Sequence, residues 1–262
     1  MHHPLRMTSV DQAGASGAPA WPTYRGVSEL IGTSPSGRVT VFVDPKLGAP
    51  GKTNAQDLLV DADRVAAAND ALFGTTGGRV AVIVFALGGA TDGTGGADHN
   101  GCDYVIGAAI EVCASFGQSA RVAALFEAEL SECSMGGNLC GMSTGEALSR
   151  WCAMATSNNA LSDFATAPQW ATDGMANFVD KVDSTDQNVD STGCGMAFIS
   201  WLKSQGHGLD KIAQSIVAAG ERGTLAQVYS ALASRPAAQA WPNFQAAVNA
   251  LPSGVTSDDP FA

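Results

Sequence analysis

The sequence predicts an α+β fold, in which a small mixed sheet with covering helices is followed by an all-helical lobe. Strand-like runs are confined to the region before residue 115, and beyond residue 160 only helical periodicity remains. Between them, residues 121–133 form an amphipathic helix with acidic residues along it. The expected organisation is a tail over 1–22, one two-lobed domain over 23–251 (23–160 and 161–251) and a tail over 252–262.

Arg38–Asp44 alternates β-branched and aromatic residues and stops at Pro45, which predicts a strand. A loop through Gly48, Pro50 and Gly51 follows. Leu58, Leu59, Ala62, Val65, Ala66, Asn69 and Leu72 then recur at helical period within 54–73, and Gly74 ends that helix. Residues 79–87 are a continuous apolar run bounded by glycines, the pattern of a central strand covered on both faces. The glycine-rich stretch 88–102 is expected as a functional loop, and it carries Asp98 and His99. Two short strands are expected at 103–106 and 109–114.

In the helix over 121–133, Val122, Leu125, Phe126, Leu130 and Cys133 make one stripe, with Glu129 at its centre and Glu132 at its edge. Glu127 is expected to face solvent. A carboxylate taken out of water needs a cation, a donor cluster or a wet cleft, which makes Glu129 the first functional candidate. Ser143 and Glu146 have the spacing of a capping box at the start of the next helix, with Arg150 placed to pair with Glu146. Helices are then expected over 170–179, 195–204, 209–219, 224–233 and 238–251. The acidic loop 180–190 lacks the order of an EF-hand loop.

With 25 acidic against 14 basic residues and a net charge of −11, neither nucleic acid nor an anionic membrane is an expected partner. No run of about 18 apolar residues exists to span a bilayer. Six cysteines, none in a Cys-x-x-Cys pair, favour disulfides and a secreted or periplasmic location. Cys133 and Cys140 flank a short turn and are the expected pair. Gly141-Met-Ser143-Thr-Gly145 matches a nucleophile-elbow pattern, but a Gly/Asn/Cys turn stands where the preceding strand belongs.

The order of elements, with Ala128-Glu129-Leu130-Ser131-Glu132 on the helix after the sheet, resembles the zincin metallopeptidases, most closely the gluzincin-like plant basic secretory protein family. Laid on that family's His-Glu-x-x-His motif, the chain keeps the catalytic glutamate as Glu129 and has Ala128 and Glu132 where the two zinc-binding histidines stand. Glu146, or Asp173 within residues 170–179, falls in the place of the family's later acidic residues. The resemblance implies a hydrolase of a peptide or another extracellular polymer, monomeric, with Glu129, Glu132 and Glu146 as catalytic residues and His99, Asp98 and Asp173 at the substrate. The loss of both histidines leaves the cofactor open between none and calcium, magnesium, manganese or zinc. A catalytically inactive binding protein of the same fold is the alternative, and a serine hydrolase using Ser143 the second.

Overall fold

A computed structural model describes residues 17–89, 91–99 and 109–262. The five strands are β1 (Glu29–Thr33), β2 (Val39–Val43), β3 (Val80–Phe85), β4 (Ala97–His99) and β5 (Ala109–Cys113), ordered β1-β2-β3-β5-β4 across one sheet. β2, β3 and β5 run parallel, and β1 and β4 close the two edges antiparallel. The parallel step from β2 to β3 needs a crossover, supplied by α1 (Gly48–Phe73). The α+β class is as expected from the sequence, with the central strand at β3. The strand expected at 103–106 lies outside the described residues. The sequence pattern missed β1, whose five residues are all exposed or half-buried, and β4, three residues inside the glycine-rich stretch.

The two faces of the sheet are covered differently. Val41, Val43, Val82, Val84, Ile110 and Val112 point towards α1 and α2 (Ser119–Cys133), where Leu58, Val65, Val122 and Phe126 complete the main core. On the other face Phe42, Ile83 and Ala109 are covered by Trp21 and Tyr24 from the N-terminal segment, and the Trp21 and Phe42 rings meet edge to face at 5.4 Å. That segment is held by one buried carboxylate. Glu111 on β5 accepts from the amides of Thr23 and Tyr24, at 2.9 and 2.6 Å, and from the Thr23 hydroxyl at 2.6 Å.

α1 begins six residues earlier than expected, at Gly48 rather than Asn54; Pro50 is tolerated there because first-turn amides have no intrahelical acceptor. α3 (Ser143–Thr156) joins the two halves of the molecule. Its Ala153 belongs to the sheet core, while Leu148 and Trp151 belong to a second core around α5 (Val189–Ser204). Phe198 and Trp201 of α5 pack there with Phe244 of α8 (Ala240–Asn249), and α4 (Ala167–Thr172), α6 (Leu209–Ala219) and α7 (Leu225–Ala233) enclose them.

Three local expectations are corrected. The helix expected over 170–179 is the six-residue α4, because Gly174 and Met175 both adopt positive φ, which an α-helix cannot continue through. The capping box at Ser143 does not form: Met142 is the N-cap residue, Ser143 is already helical, and Glu146 turns to Arg150 instead. The box occurs on α7, between Thr224 and Gln227. Residues 252–262, expected as a disordered tail, dock on the helical lobe, where Asp258 accepts from the amides of Thr166 and Ala167 at 2.9 and 2.7 Å. Among the described residues no helix is long and apolar enough to cross a membrane.

Candidate functional site

The site is built on α2, whose buried residues number twelve of fifteen, so it is an inner helix rather than a surface one. α1 and the sheet cover one side and α3 the other. Glu129 and Glu132 are one turn apart and emerge on the side where β4 ends. Cross-strand partners in a sheet share a face, so the pairing His99 with Ile110 turns His99 towards α2, while Asp98, paired with Glu111, turns to the N-terminal segment. This alternation separates two neighbouring residues that the sequence expectation had grouped.

The His99 ring lands between the two glutamates. Its Nδ1 is 2.6 Å from Glu129 Oε2 and 3.6 Å from Glu132 Oε2, with all three side chains largely buried. From α3, the Glu146 carboxyl adds its negative charge beside Glu132. Glu146 also accepts from Arg150 Nε at 2.7 Å, and Arg150 donates to the Phe164 carbonyl at 2.6 Å. Three glutamates therefore share one imidazole and one guanidinium.

The electrostatics follow from that imbalance. Burial alone would hold His99 down, but the hydrogen bond and charge of Glu129, helped by Asp98 and Glu146, outweigh it and raise its pKa above the ordinary histidine value. Glu129 is raised by burial, an effect the His99 contact opposes. Glu132 is raised well above the carboxylate range by burial first, then by the charges of Glu129 and Glu146. Like charges brought this close favour a shared proton or a cation between them.

Cys140 lies on a single 3-10 turn (Leu139–Gly141) after α2, and its sulfur, a His99 ring nitrogen and a Glu132 oxygen all lie within 4.8 Å of one another. Cys140 is disulfide-bonded. The pairing with Cys133 expected from the sequence is not made. Cys133 keeps a buried thiol in the sheet core, since successive side chains on a helix diverge by about 100° and Cys140 sits on the Glu132 side.

An open cavity of about 470 Å³ lies at the glycine-rich edge, lined by Leu87, Gly88, Thr94, Gly95, Gly96, Ala97 and Asp98. None of the three glutamates lines it, and Asp98 is the residue through which it adjoins His99. Its backbone is held from α2 by Arg121, a buried arginine that donates to the Gly95 carbonyl at 2.8 Å and to Asp163 at 2.8 Å. The sequence pattern gave no sign of this role, because Arg121 stands at the helix start where a solvated residue is the rule.

The structure brings Glu129, Glu132, Glu146 and His99 together and leaves other candidates apart. Asp173, at the end of α4, is exposed and bonded to Gln169, with Asp190 as its acidic neighbour. Ser143 is buried, its hydroxyl directed at the Asp183 carbonyl at 3.5 Å, and a 3-10 turn rather than a strand precedes it. No base reaches it among the described contacts, so the serine-hydrolase alternative has no geometry to support it. Glu127, expected in solvent, is wholly buried beside α1 and α3, and among the described residues neither oxygen has a partner in hydrogen-bonding geometry, Thr156 and the Arg64 charge lying near enough only to oppose the effect of burial. Compared with known proteins, the chain matches no family model and no curated sequence.

Proposed function

We propose that the His99–Glu129–Glu132–Glu146 cluster is the centre of a hydrolase acting on a peptide or other polymer, with Glu129 as general base, as the zincin resemblance implies. The carrying observation is the delivery of His99 from β4 onto two glutamates one helical turn apart, 2.6 Å from one and 3.6 Å from the other. His99 and Glu132 are a nitrogen and an oxygen donor of the kind that suits zinc or manganese, their ligand atoms within 4.8 Å of each other, and they would hold such an ion, which would supply Lewis acidity at the scissile carbonyl. Glu129 takes the proton of the attacking water as the new C–O bond forms. It returns that proton to the departing amine as the C–N bond breaks. The cavity beside Asp98 gives an extended substrate a place to lie against β4.

The test is elemental analysis of protein purified without chelator, followed by a peptide-library digest. A stoichiometric divalent metal, lost in Glu132→Gln, together with cleavage lost in Glu129→Gln, supports the reading. Metal-free protein that cleaves nothing overturns it. A second reading, a binding protein without catalysis, is favoured by the direct His99–Glu129 contact, which occupies the base. Retained metal with no cleavage of any peptide would select it.

A further inference from the structure

We propose that the disulfide at Cys140 sets which metal this site takes: oxidised, the site offers only nitrogen and oxygen donors, and reduced, the Cys140 thiolate joins His99 and Glu132 as a third ligand of zinc-like chemistry. The inference rests on the metal-binding reading above and deepens it. Its ground is the position of Cys140, whose sulfur falls within 4.8 Å of both a His99 ring nitrogen and a Glu132 oxygen. Metal–ligand bonds of about 2.0 to 2.3 Å place such atoms about 3.3 to 4 Å apart, so the three need to draw in by roughly an ångström. His99 stands at the end of the three-residue edge strand β4 and half-buried Cys140 on a single turn, where small shifts are inexpensive.

The chemistry differs sharply between the two states. A disulfide sulfur carries no charge and is a poor ligand, which leaves an imidazole and carboxylates suited to manganese or magnesium as well as zinc. Reduction by a dithiol adds two electrons and two protons, breaks the S–S bond and yields two thiols, while the reductant closes to its own disulfide. On binding a metal, the Cys140 thiol gives its proton to solvent and the thiolate becomes a soft donor. A thiolate, an imidazole and a carboxylate together favour zinc over manganese and magnesium.

Cobalt(II), used as the probe on the full chain, separates the possibilities, because a thiolate bound to it produces an intense near-ultraviolet charge-transfer band that nitrogen and oxygen ligands do not. Protein reduced with a dithiol is expected to show this band at one equivalent of cobalt, and the oxidised protein and reduced Cys140→Ser are expected to lack it. A reduced protein that binds cobalt without the band, one whose band persists in Cys140→Ser, or one that binds no cobalt overturns the proposal. If Cys140→Ser does not fold, alkylation of the reduced wild type replaces it. Zinc is then expected to protect Cys140 at least tenfold, and equal labelling with and without zinc overturns the proposal. Visible ligand-field bands in the oxidised protein report the metal-binding reading separately. Those bands without charge transfer on reduction keep the hydrolase centre and remove the redox effect; charge transfer on reduction with no ligand-field bands in the oxidised protein does the reverse.

Discussion

Glu127 and Glu129 stand two residues apart on α2 and face opposite sides of it. Glu129 meets an imidazole at 2.6 Å, within a cluster that also contains an arginine. Glu127 is wholly buried with neither oxygen in hydrogen-bonding geometry among the described residues, and burial raises its pKa well above the ordinary 4.5 against the opposing effects of Thr156 and Arg64. The nearest guanidinium, that of Arg64, is engaged by Asp61 and the Thr156 carbonyl. Two buried acids on one helix thus show what distinguishes a site from a cost: convergent hydrogen-bonded partners on one side and only the looser influence of Thr156 and Arg64 on the other.

Chemistry should separate the two most. Glu129→Gln is expected to lower peptide hydrolysis by about a thousandfold, the size of a lost general base, while Glu127→Gln changes it less than about twofold, both read as initial rates at fixed protein concentration. Equal losses would dissolve the distinction. Glu111 sharpens it from another direction, as a buried carboxylate fully satisfied by donors. Glu111→Ala leaves the amides of Thr23 and Tyr24 without an acceptor and is expected to cost about 3 kcal/mol in urea unfolding.

Removing Glu127 should have the opposite sign. Its folded-state pKa is raised, so above about pH 4.5 the unfolded chain releases a proton that the folded protein retains, and stability falls as pH rises towards the folded value. Glu127→Leu is expected to raise stability at pH 7 by about 1 to 3 kcal/mol and to flatten that slope, measured as unfolding free energy from pH 4 to pH 9. A loss of stability at pH 7 would mean that the carboxyl has a partner after all. The smallest effect is at Asp258, where alanine should cost about 1 to 2 kcal/mol by freeing the C-terminal residues from Thr166 and Ala167, seen as faster amide exchange at those two positions.

Much of this was legible beforehand. The patterns of 38–44, 79–87 and 121–133 located three elements of the sheet layer, and a carboxylate in an apolar stripe singled out Glu129 as the candidate. What pattern could not supply was the direction of approach of other elements. Glu127 looked solvent-facing because α3 is invisible in the α2 sequence. β4 is too short and too glycine-flanked to declare itself, yet it alone decides that His99 and Asp98 part company. Ser143 and Glu146 had capping-box spacing, but Arg150 competes for Glu146 and wins through the stronger charged bond.

The N-terminal segment has a consequence for connectivity. Arg25 is exposed and follows directly on Tyr24, whose amide binds Glu111. A single cut after Arg25 would separate the segment that includes Trp21 and Tyr24, which the described residues hold to the sheet through Glu111 and the packing of Ala18, Trp21 and Tyr24. The sheet would then be a receptor for a segment of its own chain, and a synthetic peptide carrying Trp21, Thr23 and Tyr24 could be exchanged onto its outer face without touching the glutamates on the other side.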